Sequence, residues 1–383
     1  MKRNIAIVTS SRADYNHLYL LIDALYKSKF INLSLIITGM HTIKNYGETY
    51  KEILKDGFKP YFIIETKQNN TGEKDILNAM SNQFKKSYQI VNKINPDMVI
   101  VLGDRYDMYP LALTAHIMGV PLAHFHGGEV TTGAIDDAIR HSVSKLSDIH
   151  FVANDIFKKR LIQMGERKKY IFNVGSLGID AIKQIKFKKR AYVESLIPLI
   201  RKKKYFMISM HPETISSSNI KLINNTIKSI DKFKDHAKIF SYPNSDTEST
   251  VLLKEIKKYV RSSNNSILIK SFGRIDYLHL LKYAEVLIGN SSSGIVEAPF
   301  LQTPSVNIGN RQNGRPKAST VFDACLSISE ISNIINKAIC KKDNVKKISY
   351  SGKNHIKRII KILSSIDLRN IKNKKFVDII ETK

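Results

Sequence analysis

The chain has 383 residues, 43% of them hydrophobic, enough to fill two cores of ordinary size. Its formal charge of +27 invites a nucleic-acid partner, but residues 1–150 hold 17 Lys+Arg against 15 Asp+Glu, so the excess lies in the second half, mostly as Lys on helix faces without Trp or a stacking motif, and no nucleic-acid partner is expected. No stretch reaches the roughly 18–20 apolar residues of a membrane span, and two cysteines without metal-site spacing, Cys325 and Cys340, suit a reduced, cytoplasmic setting with no membrane partner.

The first apolar run, Ile5–Val8, is too short for a signal peptide and stops in a polar turn, so it reads as a strand. Thr9-Ser10-Ser11-Arg12-Ala13-Asp14 then opens a helical pattern over Tyr15–Tyr26. That turn reads equally as a phosphate cradle with Arg12 as its fork or as a plain Ser/Asp helix cap. The run Leu33–Ile37 leads into Thr38-Gly39-Met40-His41, which puts His41 at the same edge, although a lone histidine is usually structural. Residues 68–73 read as a loop, followed by a helical pattern over Asp75–Ile94.

Residues 98–141 carry the densest chemistry. Met98–Leu102 ends in Gly103-Asp104-Arg105; after a helical pattern, Met108–Met118, the run Pro121–Ala123 ends in His124-Phe125-His126-Gly127-Gly128-Glu129. Asp136 and Asp137 then open the helical pattern Ile135–Leu146, which carries Arg140 and His141. Carboxylates, imidazoles and guanidiniums thus gather at the carboxyl ends of buried strands, where open parallel sheets bind ligands. His-x-His is compatible with zinc. The pair Gly127-Gly128 points instead to a ligand approached by backbone, and Asp104 to acid–base work, so no metal is expected.

Ile149–Val152 ends this series, and the Lys-rich stretch Gln184–Lys204 reads as a domain boundary. A second series follows: Phe206–Ser209, Lys238–Phe240, Ser266–Ile269, Val286–Ile288 and Ser305–Asn307. Strand–helix alternation means parallel sheets with helices on both faces. The expected fold class is α/β, with two doubly wound Rossmann-like domains facing a cleft: 1–185, 186–365, and a tail 366–383. The last helical pattern, near Asn354–Ile366, is amphipathic and can pack back onto the first domain.

In the second domain His211-Pro212-Glu213 follows a strand; a histidine there can bind phosphate or donate a proton, or simply mark a turn. Gly289-Asn290-Ser291-Ser292-Ser293-Gly294 offers hydroxyls and N–H groups to a diphosphate, and Glu297, one turn into a helix, suits a ribose diol. Dehydrogenase, P-loop and esterase signatures are absent from the sequence.

VTSSRADY, TGMHTIKNYGETY, VLGDRYD, HFHGGEVTTGAIDDAIRH, FNVGSLGID, MHPET and GNSSSGIVEAP, with GRP at Gly314–Pro316, occur in that order. Together they resemble the UDP-N-acetylglucosamine 2-epimerases over about residues 4–320, closer to the hydrolysing branch that makes N-acetylmannosamine for sialic acid synthesis. The resemblance implies a two-domain GT-B fold, a homodimer, a UDP-sugar substrate and no cofactor. It places Arg12, His211, Ser291, Ser292 and Ser293 on the diphosphate, Glu297 on the ribose, Arg315 near the nucleotide, and Phe272 and Gly273 near uracil. It implies that the sugar loses UDP from carbon 1 and a proton from carbon 2, and that water adds to the resulting glycal. Asp104, Glu129 and Asp136 are the candidate catalytic carboxylates, with His126 and His211 as further acid–base groups. His41, Arg105, Asp137 and Arg140 are the expected supporting substrate contacts. In one respect the chain departs from the pattern: His126 stands where other members carry a Glu, so either Glu129 takes that role or His126 acts in its own right. Two other substrates or activities stay open, the same reaction on a 2,4-diacetamido-2,4,6-trideoxy sugar nucleotide and a GT-B glycosyltransferase.

Overall fold

The computed structural model describes residues 2–378 except 67, 69–71, 133, 214–218, 244–247, 342–354 and 373. Of the expected loop at 68–73, residues 69–71 lie outside the described residues, and Glu73 already begins the helix Glu73–Ile94. Seven parallel strands make the first sheet: β1 (Arg3–Thr9), β2 (Ile31–Ile37), β3 (Phe62–Ile63), β4 (Met98–Leu102), β5 (Leu122–Phe125), β6 (Ile149–Val152) and β7 (Ile171–Asn173), in the order β3-β2-β1-β4-β5-β6-β7. Six make the second: β8 (Lys204–Ser209), β9 (His236–Ser241), β10 (Ser266–Ile269), β11 (Val286–Gly289), β12 (Ser305–Ile308) and β13 (Val321–Ala324), in the order β10-β9-β8-β11-β12-β13.

Both faces of each sheet are covered, and the strand sequences say why. Along β1, Ile5 and Ile7 enter one core while Ala6 and Val8 enter another; along β4, Met98, Ile100 and Leu102 alternate with Val99 and Val101 in the same way. The second sheet repeats this, with Phe206 and Ile208 on one face of β8 and Tyr205 and Met207 on the other. A strand buried on both sides reads as an unbroken apolar run, which is the mark of parallel sheets. The helix Arg12–Tyr26 lays Leu18, Leu21, Ile22 and Leu25 against β1, the i, i+3, i+4, i+7 stripe of a core-facing helix.

The short strands β3, β7 and β13 were not among the expected elements. The boundary stretch is also less open than its lysines suggest. It contains a helix, Arg190–Leu196, and Val193, Ile197 and Ile200 pack into the second core. The helix His355–Ser365 corrects the expected grouping of 186–365. Ile359 and Leu363, with Ile371 beyond them, lie in the first core, and the Arg3 guanidinium donates to the carbonyls of Leu363 (2.6 Å) and Ile366 (2.9 Å).

Strand order reverses between β1 and β4 and again between β8 and β11. Turns leaving the carboxyl ends of such neighbours form a crevice. In this chain the two crevices face each other.

Candidate active site between the two sheets

Two adjoining clefts, holding about 960 and 930 Å³ of space that is partly open to solvent, occupy the gap. The first is lined by Asp104, Arg105, His126, Glu129, Asp136 and Arg140 from the first sheet's loops, with Arg315 from the second. Arg12, His211, Phe272, Gly273 and Ser291–Ser293 line the second cavity. Ala13, His17, Ser292, Glu297 and Arg311 line both and so mark their junction.

The first cavity is held by charge pairing. Asp104, just past β4, forms an ion pair with Arg140, which also donates to the His126 carbonyl (2.8 Å) and reaches Thr131 Oγ1 (3.3 Å). His126 adopts the left-handed backbone conformation (φ +64°), rare outside glycine but open to His, and its Nδ1 lies 2.5 Å from Glu129 Oε1. On the other side of that carboxylate, Arg315 contacts Glu129 Oε2 at 3.2 Å and donates through Nε to the Val130 carbonyl (2.9 Å). Burial alone would raise the Glu129 carboxyl pKa, but the positive charge of His126 and Arg315 and the His126 hydrogen bond bring it down to about 2. Glu129 is therefore a carboxylate at neutral pH, suited to stabilising positive charge.

The second cavity is built from the β8 and β11 turns. Asn290 clamps the His211 backbone, accepting from its N–H at 2.7 Å and donating to its carbonyl at 2.8 Å. Tyr277 donates to Ser293 Oγ (2.8 Å), and Glu213 accepts from the N–H groups of Asn310 (2.6 Å) and Arg311 (3.1 Å), fixing the loop that carries Arg311 and Arg315. Glu297 is enclosed at the junction; burial raises its carboxyl pKa, and its Oε2 has no hydrogen-bond partner. Such a buried acceptor suits a ligand hydroxyl.

Several expected residues sit elsewhere. His41 is fully buried behind the cavity wall, bridging Thr9 Oγ1 (3.0 Å) and Thr49 Oγ1 (2.8 Å), because a short 3₁₀ turn after β2 swings it inward. Its role is structural. His124 is the same case on β5, with Nε2 on the Gly103 carbonyl (2.7 Å) and Nδ1 on Ser144 Oγ (3.1 Å). Asp137 lies outside both cavities and accepts from the Thr131 N–H (2.6 Å), so it shapes the loop beside the site. Asp14 takes up the hydroxyls of Ser10 and Ser11, which leaves Arg12 as the charged group that the turn brings to the second cavity beside Ser11 and Ala13. Gly127 and Gly128 serve packing; a Cβ on Gly128 would lie 2.4 Å from the Phe157 carbonyl oxygen. Among the described residues no group of three or more His, Cys, Asp or Glu is placed to hold a metal ion.

The sequence reading missed His17 and Arg311 at the junction and Tyr277 behind Ser293. Each is a single residue on a helix or loop with no motif of its own.

Residues 23–364 match the family described as UDP-N-acetylglucosamine 2-epimerase. This chain belongs to that family. It is 37% identical to the GDP/UDP-N,N'-diacetylbacillosamine 2-epimerase (hydrolyzing) of Campylobacter jejuni, over 99% of this chain and 100% of that one. It is 35% identical to the polysialic acid biosynthesis protein P7 of Escherichia coli, over 87% of this chain and 85% of the relative. These relatives place it in the hydrolysing branch. Its fold matches the Methanocaldococcus jannaschii UDP-GlcNAc 2-epimerase, crystallised with UDP-GlcNAc and UDP, with a TM-score of 0.81 at 21% identity, covering 94% and 99% of the two chains. The architecture is thus GT-B type, with helices on both faces of two parallel sheets. No helix among the described residues is long and apolar enough to cross a membrane.

Proposed function

We propose that this chain is a hydrolysing 2-epimerase of a UDP-linked 2-acetamido sugar, releasing UDP and the 2-epimeric free sugar for nonulosonic acid synthesis. The observation that carries this reading is the two-part cavity. One half is rich in carboxylate, imidazole and guanidinium; the other is lined by serines, aromatic rings, arginines and His211; the two meet edge to edge. A sugar nucleotide has the same two parts. UDP lies in the second half, with Phe272 and Gly273 by the base, Glu297 on the ribose, and Arg12, His211 and Ser291–Ser293 around the diphosphate. The sugar lies in the first.

The carbon 2 proton has no adjacent carbonyl to acidify it. Cleavage of the carbon 1–oxygen bond must therefore run ahead, and the cationic character that develops needs carboxylates nearby. Asp104, Glu129 and Asp136 meet that need. One takes the carbon 2 proton as the carbon 1=carbon 2 bond forms, and another directs water onto the glycal. Arg140 holds Asp104, and His126 and Arg315 hold Glu129, while Arg105 pairs with Asp107 at 2.9 Å. Closure of the second domain's 310–316 loop over residues 126–132 keeps the glycal from escaping before hydration.

Two sugars fit this chemistry. N-acetylglucosamine is the sugar in the family's description, and the sequence motifs do not separate it from the second. The 2,4-diacetamido-2,4,6-trideoxy sugar is favoured by the full-length Campylobacter relative and by an apolar wall of Leu102, Ala153, Phe157, Ile295 and Val296, which suits a methyl and an added acetamido group. Parallel incubations with the two UDP-sugars, reading UDP release, test the proposal. Faster turnover of the diacetamido sugar is the expected result, and release from neither overturns the reading in favour of a glycosyltransferase. The same reading takes the chain as a cytoplasmic homodimer, with the boundary near residue 185, between β7 and β8.

A further inference from the structure

His17 sits in the second turn of the helix Arg12–Tyr26, in no recognised motif, yet it is the one histidine that lines both halves of the cavity. Its ring is seated against Gly178 of the Ser176-Leu177-Gly178 turn. A Cβ on Gly178 would lie 2.4 Å from His17 Nδ1, so glycine is what leaves room for the imidazole. The Nδ1 and Cε1 atoms face Gly178, and Nδ1 is buried without a hydrogen-bond partner, so Nε2 is the nitrogen left to address the cavity that His17 lines. Two more orphaned buried atoms, Ser176 Oγ and Glu297 Oε2, belong to residues on the same cavity wall. Native proteins leave few polar atoms unpaired, and these two beside one cavity suit a ligand that completes them. On the far side the His17 ring meets that of His126 at 5.1 Å between centroids.

In a sugar nucleotide spanning the cavity, the junction runs from the ribose beside Glu297 through the diphosphate to carbon 1, and the contact with His126 of the sugar half puts His17 at the carbon 1 end. We propose that His17 is a catalytic residue whose Nε2–H donates a hydrogen bond to the oxygen that departs from carbon 1 with the diphosphate. This rests on the two-half reading given above. The step balances without a proton from His17. The carbon 1–oxygen electron pair goes to the β-phosphate, the carbon 2–hydrogen pair becomes the new double bond, and a carboxylate keeps the carbon 2 proton. The donor stabilises the negative charge as it builds on the leaving oxygen. Arg311 and Ser292, which share the junction, complete the cradle. Burial and the neighbouring His126 hold the His17 pKa at about 4, against the pull of Glu129 and Asp14, so at neutral pH it is a neutral donor that leaves no uncompensated charge in the empty site.

A half-reaction separates this role from a structural one. The 2-acetamido glycal of the substrate sugar, supplied with UDP, enters after the carbon–oxygen bond is broken, so its hydration does not need the leaving-group donor. His17→Gln and His17→Asn are compared with the unaltered enzyme for UDP release from the sugar nucleotide, glycal hydration and UDP binding by calorimetry. The expected result is a fall in UDP release on the order of 10²–10³-fold, with glycal hydration at saturating UDP within about threefold and UDP affinity lowered by less than the fall in UDP release, because the donor also meets that oxygen in bound UDP. His17→Gln, which keeps an N–H near the Nε2 position, should recover part of the loss seen in His17→Asn. Equal losses in both half-reactions, or undiminished UDP release in both variants, overturn the proposal. If the unaltered enzyme hydrates no glycal and releases no UDP from either sugar nucleotide, the epimerase reading itself fails, an outcome distinct from the other two.

Discussion

Arg315 joins the two domains at the site, and its removal has a calculable effect. Its side chain is 8% exposed and makes three contacts across the cleft: Nε to the Val130 carbonyl at 2.9 Å, NH2 to Thr131 Oγ1 at 3.3 Å, and the ion pair with Glu129 at 3.2 Å. A hydrogen bond from a charged group contributes about 1.5–3 kcal/mol. Arg315→Met keeps the apolar stem, and the opened cleft rehydrates Glu129, so the net loss should be about 2–4 kcal/mol, less than the sum. At about 1.4 kcal/mol per factor of ten, that is roughly 30- to 700-fold in kcat/KM. Coupled UDP-release kinetics measure it. Thermal unfolding should change little, because the contacts lie between domains and not within a core. A kcat/KM within threefold of the unaltered enzyme would refute the claim that Arg315 closes the site and holds Glu129.

Asp104→Asn removes the charge that pairs with Arg140; turnover should be abolished while UDP affinity by calorimetry stays within a few-fold, since Asp104 lies in the sugar half. Undiminished turnover would remove Asp104 from the mechanism. Gly289 ends β11 with φ +140°, and a Cβ there would fall 2.0 Å from the Ser209 carbonyl oxygen. Gly289→Ala should therefore cost about 3 kcal/mol or more in denaturant unfolding, and an unchanged midpoint would contradict the packing of β8 on β11. Burial holds the pKa values of His17, His41 and His124 at about 4, 4 and 3, below the ordinary value near 6.5. The unfolded chain takes up protons that the folded one refuses, so the stability these groups give is complete above pH 6.5 and is lost as pH falls towards 4. Melting temperature should drop across that window, with a shallower slope in His41→Gln; a flat profile would show that the three are not held neutral.

The strands that position the site were readable because a strand covered on both faces is apolar throughout. Met98–Leu102 and Ile149–Val152 have the same ends in sequence and structure, and the carboxyl-end loops after β4, β5, β8 and β11 carry the chemistry. β3, β7 and β13 escaped because two to four residues, with Asn173 or Asp323 among them, make no pattern distinct from a loop. His41 shows the limit of placing residues by strand end alone. It follows β2 at the right edge, but one short turn sends its ring into the wall. His17 shows the converse, a residue that enters the site only because the helix Leu177–Lys183, far along the chain, brings Gly178 against it.

The central claim is elimination followed by hydration at one site, and a proton NMR time course in deuterated water tests it most directly. The two UDP-sugars, N-acetylglucosamine and the 2,4-diacetamido-2,4,6-trideoxy sugar, would be run in parallel tubes. The account predicts UDP release together with a free sugar inverted at carbon 2 and carrying deuterium there. Release of a sugar that keeps its original carbon 2 proton and configuration would contradict it, because simple hydrolysis would then explain the product and the carboxylates around Asp104 and Glu129 would need no base among them.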